Sequence, residues 1–175
     1  AQRNSTGDAG NLTISTNTLL IQDGAKASAT TFAKGKGGDL TVNAQDVQLI
    51  GGKGKTTGLF ASANSNSTGD AGNLTLSTNK LFVQDGAQVR TGTFGEGNGG
   101  NLIVNAQDVE LIGENEDGRF TSGLLASAQP NSTGDAGNLT LSTNKLLVQD
   151  GAQVSAGTFG EGKGGDLTVN AQNVQ

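Results

Sequence analysis

Repeated carboxylates are the first chemistry this sequence offers. Gly7-Asp8-Ala9-Gly10-Asn11-Leu12-Thr13 returns as Gly69 to Thr75 and as Gly134 to Thr140. Gln22-Asp23-Gly24 returns as Gln84-Asp85-Gly86 and Gln149-Asp150-Gly151. If like turns stack, Asp8, Asp70 and Asp135 form one acidic row, and Asp23, Asp85 and Asp150 another. Carboxylates about 5 Å apart repel, and calcium would relieve the strain. The competing reading is structural: Asp bonds nearby backbone N–H groups at turns. The Gly-Gly-x-Gly-x-Asp calcium repeat does not recur, and Ca²⁺ wants about six to eight oxygens, so calcium is the weaker expectation. No other cofactor is expected.

Asn4-Ser5-Thr6, Asn66-Ser67-Thr68 and Asn131-Ser132-Thr133 fit the N-glycosylation acceptor pattern. Asn4, Asn66 and Asn131 are therefore candidate modification sites in loops. A polysaccharide-cleaving reading needs two carboxylates about 5–9.5 Å apart in a groove. Such grooves usually carry aromatic platforms, yet the chain has six Phe, no Trp and no Tyr. Its repeats are also close copies, whereas a catalytic constellation is made once. The expectation is that this is not an enzyme. The acidic run Glu114-Asn115-Glu116-Asp117 reads as a solvated loop tip.

Composition narrows the field further. There is no Cys and no His, hence no disulfide, thiol nucleophile, imidazole base or usual zinc site. The formal net charge is -5, which disfavours a nucleic-acid partner. No apolar run approaches the ~18 residues of a membrane-spanning helix, so no membrane insertion is expected. No leader segment is expected at Ala1. Gly supplies 29 of 175 residues, far above the usual share of about 7%. Hydrophobic residues make up 33%, so a core must come from small apolar clusters at regular places.

Those places are set by a repeat. The start Gly-Asn/Asp-Leu recurs at Gly10, Gly38, Gly72, Gly100, Gly137 and Gly165. The intervals are 28, 34, 28, 37 and 28 residues, so short rungs alternate with long ones. The repeat units run 10–71, 72–136 and 137–175, the last incomplete. Both termini cut a rung, and the expectation is a single 1–175 segment of a longer array.

Each rung opens with apolar residues at alternating positions, such as Leu74 and Leu76, then Leu81 and Val83. Period two marks a half-buried strand. Asp-Gly then supplies the positive φ of a tight bend. A third stretch follows, such as 87–93, and a Gly-rich run closes the rung. Helix is disfavoured by the Gly, Thr, Asn and Val content. The pattern predicts an all-β, right-handed parallel β-helix (β-solenoid) with three short strands per coil. Asn17, Gln45, Asn79, Gln107, Asn144 and Gln172 fall in one column and predict an axial amide ladder. Phe32, Phe94 and Phe159 occupy equivalent turns and are expected to cover a coil corner. Phe82 aligns with Leu20 and Leu147 in an outward stripe, expected to lie under the long-rung loops.

The units Gly69 to Leu76, Leu81-Phe82-Val83-Gln84-Asp85-Gly86-Ala87, Gly99-Gly100-Asn101-Leu102 and Ser122 to Ala128 resemble shaft repeats of filamentous-haemagglutinin-type exoproteins. They are most similar to the large cyanobacterial versions. The resemblance spans essentially the whole chain. It implies two-partner secretion through an outer-membrane barrel and an extracellular or cell-surface location. It also implies a structural and adhesive role, with partners among copies of the fibre itself and cell-surface or polysaccharide ligands. The family's N-terminal secretion domain has no counterpart here. The alternative expectation is a carbohydrate-binding or polysaccharide-degrading β-helix protein.

Overall fold

The computed structural model describes residues 5–175. Eleven strands follow in order: β1 (Leu12–Gln22), β2 (Lys26–Ser28), β3 (Leu40–Ile50), β4 (Gly58–Ala63), β5 (Leu74–Gln84), β6 (Gln88–Thr93), β7 (Leu102–Ile112), β8 (Gly123–Ala128), β9 (Leu139–Gln149), β10 (Gln153–Ser155) and β11 (Leu167–Val174). They form two sheets, in the order β1-β3-β5-β7-β9-β11 and β2-β4-β6-β8-β10. Every strand pair is parallel. Leu12, Leu40, Leu74, Leu102, Leu139 and Leu167 pair in register, so the 28, 34 and 37-residue rungs stack as complete turns of a β-solenoid.

Each coil has two strands rather than three. The two short strands expected at its start run on as one 11-residue strand. The physical reason is a corner without a break. Inward positions are Leu74 and Leu76, then Leu81 and Val83, so the inward parity switches midway. The residue pairing lapses at Asn17, Gln45, Asn79, Gln107 and Gln172 in that switch. Those amides are exposed, and among the described residues none bonds its neighbour along the axis. Thr78 and Thr143 hold the corner instead. Each hydroxyl donates to the preceding rung's Gln45 or Gln107 carbonyl, at 2.9 Å in both cases.

The ladder stands elsewhere, in the Gly-rich stretch. Asn11 Oδ1 accepts from Asp39 N–H at 2.9 Å, Asp39 Oδ1 from Asn73 N–H at 2.9 Å, and Asn73 Oδ1 from Asn101 N–H at 2.9 Å. Asn101 and Asn138 continue it to Asp166. This wall is glycine-rich because successive rungs touch. A Cβ on Gly100 would lie 1.9 Å from the Gly72 carbonyl oxygen. The wall therefore stacks without a side-chain layer, and Asx side chains extend its hydrogen bonding outside the strands.

The core is a narrow aliphatic column. Leu40, Leu74, Leu102 and Leu139 are fully buried, and Leu59, Val89 and Leu124 reach it from the second sheet. Each such side chain contributes about 1.5–3 kcal/mol on burial. Burial is supplied by the adjoining rung. Leu40 is 0% exposed, whereas its counterpart Leu167 in β11 is 46% exposed.

Candidate functional site

The acidic rows do not form as expected. The Gln-Asp-Gly turns recur once per pair of rungs, in the short ones, so Asp23, Asp85 and Asp150 are two rungs apart, about 9.5 Å at the usual strand spacing. Each has φ 55°, with the following Gly at 81–90°. Ala25 N–H donates to Gln22 O at 3.0 Å, as in a type I′ turn. Thr57 and Ser122 of the long rungs brace two of these turns. Their hydroxyls accept from Gly24 N–H at 2.8 Å and Gly86 N–H at 2.9 Å.

Asp8, Asp70 and Asp135 are likewise two rungs apart, with Lys36 and Asn98 between them. Asp8 Oδ1 accepts from Lys36 N–H at 2.8 Å, Asp70 Oδ1 from Asn98 N–H at 2.9 Å and Asp135 Oδ1 from Lys163 N–H at 2.8 Å. Lys36 Nζ lies 3.9 Å from Asp70 Oδ2. The carboxylates thus continue backbone pairing from rung to rung. Among the described residues, no three Asp or Glu side chains converge to hold a metal ion.

Asn66 and Asn131 are exposed at turn positions with φ 65° and 68°. Ser67 N–H donates to Asn64 O at 3.0 Å and Ser132 N–H to Gln129 O at 3.1 Å. Both sequons present their Asn outward. Asn4 lies outside the described residues.

The side chains that converge are on the outer face of the second sheet. Phe32, Phe94 and Phe159, the residues expected at a coil corner, stack in one column of this sheet. They stand outward and alternate with Asn64 and Gln129, because inward places in this sheet go to Ala, Leu, Val and Thr. Phe32 is 41% and Phe159 68% exposed. With Phe60 and Phe120 they line two adjoining hollows, of about 160 Å³ and about 470 Å³. Five of the six Phe therefore share one face. Phe82 is on the other sheet beside Lys80, Glu110 and Lys145. Its stripe partner Leu20, in the first rung, is 52% exposed, while Phe82 and Leu147 are half-buried.

Arg90, on β6, belongs to both hollows. Its guanidinium carbon lies 4.8 Å from the Phe94 ring centre and 5.5 Å from that of Phe60. Lys26 Nζ approaches Phe60 at 5.8 Å. In register, Arg90 pairs with Phe60 on one side and Leu125 on the other. Among the described residues, no acid pairs with it in register or lines either hollow, and burial lowers its pKa from the ordinary value to about 10. Arg90 Nε, Gln88 Oε1 and Ser62 Oγ are buried without hydrogen-bond partners.

The longer loop completes the groove. Buried Asn115 accepts through Oδ1 from Arg119 N–H and Phe120 N–H, both at 2.9 Å. That clamp carries Arg119 and Phe120 over the larger hollow. The shorter loop contributes Thr56. Sequence reading of the acidic run as a loop tip missed this support. It also passed over Arg90, although the equivalent outward residues Ser28 and Ser155 depart from it.

No family model, no curated protein and no solved structure matches this chain.

Proposed function

We propose that this chain is a stretch of structural and adhesive shaft in an extracellular bacterial surface fibre. The supporting observation is the Asx ladder, which runs through every rung from Asn11 to Asp166. A rod needs the same bond at each step, and this wall supplies it. The resemblance to filamentous-haemagglutinin-type shafts supports the same reading, including secretion through a partner barrel.

Electron microscopy of native material tests it. The expected result is long fibres with an axial repeat of about 4.8 Å. Discrete particles without fibres would remove the shaft reading. The carbohydrate-binding alternative draws support from the aromatic face of the second sheet. Its degrading variant has no carboxylate pair there, because neither hollow is lined by Asp or Glu.

A further inference from the structure

We propose that the groove across β4, β6 and β8 binds an acidic saccharide, with a uronate carboxylate on Arg90 and sugar rings against the phenylalanines. The inference rests on the adhesive half of the reading above and names its ligand class.

Charge is the first argument. The chain carries 16 acidic and 11 basic residues, yet the hollows present Lys26, Arg90 and Arg119 and no acid. Arg90 is a cation held against two aromatic rings with no counter-ion. A desolvated charge left so is costly. An incoming carboxylate supplies the missing partner, and the planar guanidinium fork suits it.

The second argument is unmet hydrogen bonding. Among the described residues, Arg90 Nε, Gln88 Oε1 and Ser62 Oγ are three of the five buried side-chain nitrogen or oxygen atoms without a partner, and all three residues line the groove. A polyhydroxylated ligand can rearrange this polar set and bond it, while Phe120 and Phe159 offer apolar surface to the C–H face of a pyranose. The third argument excludes a strand-like peptide. β4, β6 and β8 are paired on both sides, so their backbone is committed and recognition falls to side chains. Peptides that add to a sheet use a free edge.

Titration calorimetry of this chain with trigalacturonate tests the assignment, beside its methyl ester and an oligoglutamate of equal charge. Trigalacturonate is expected to bind, and the ester to bind about tenfold or more weaker. Arg90→Gln should weaken trigalacturonate by a similar factor, Arg90→Lys should restore part of it, and Phe120→Ala should weaken it without altering the acid-to-ester ratio. Lys34→Gln, on an exposed residue outside the groove, should leave binding unchanged. Equal affinity for acid and ester, unchanged binding in folded Arg90→Gln, or tighter binding of oligoglutamate would each overturn the proposal. Fibres in micrographs with a flat titration would overturn this inference alone. Binding without fibres would overturn the shaft reading alone.

Discussion

Lys80 and Arg90 are both outward cations on neighbouring strands, and they have opposite surroundings. Lys80 pairs in register with Asp46 on one side and Asp108 on the other, and Lys145 continues the alternation. Arg90 pairs with Phe60 and Leu125. On the long sheet, stacking alternates acid and base along the column Asp46, Lys80, Asp108 and Lys145. On the short sheet, stacking supplies apolar neighbours and leaves the charge unmet. The first arrangement serves the rod, because any rung fits on any like rung. The second spends stability at one place, as binding sites do.

Disturbing the wall that both faces depend on has the largest expected effect. Gly100→Val sets a side chain against the Gly72 carbonyl. It should cost about 4 kcal/mol or more, read as the urea midpoint, and it should weaken every probe of structure together. Next comes the ladder. Asn101→Ala removes the acceptor of Asn138 N–H and should cost about 1–2 kcal/mol. Asn101→Asp keeps that acceptor, as Asp39 does in the same column, and should stay close to the parent midpoint.

Giving Arg90 the company that Lys80 already has should reverse the contrast. Leu125→Glu places an acid beside Arg90 in register and should raise stability by about 1 kcal/mol. Arg90→Met should also raise it, by about 1 kcal/mol, through removal of a half-buried cation whose Nε has no partner. Arg90 has a lowered folded-state pKa of about 10, which fixes the sign of the pH effect. Below about pH 10 both states hold the proton and the full cost stands. Above it the folded state releases the proton first, so parent stability rises relative to Arg90→Met. The gap between the two melting curves should narrow as the pH rises above about 10. The smallest effect is expected of Lys80→Ala, about 0.5 kcal/mol or less, since its charges are exposed and screened.

Much of the fold was legible because the repeat converts sequence alignment into spatial register. Leu12 and Leu40 align, and they pair. The Asp-Gly turn was legible because Asp23 and Gly24 both need positive φ. The position of the ladder was not. Asn17 and Asn11 recur equally well, and only the parity switch at the corner decides which column can hand a bond onward. The acidic rows failed for a related reason. Alignment of Asp8 with Asp70 skips the intervening rung, where Lys36 stands. The groove was hidden more deeply. It depends on which side of β6 faces outward and on where Asn115 carries Phe120. Its one sequence signal was a departure from the copies, Arg90 where Ser28 and Ser155 stand.

The most direct test of this division between building walls and a binding face is an amide shift map of ¹⁵N-labelled protein titrated with trigalacturonate. The account predicts shifts centred on Ser62, Arg90, Phe94, Phe120 and Ser127, with silence along Asn11, Asn73, Asn101 and Asn138. Shifts centred on that ladder, or spread evenly over both sheets, would contradict it.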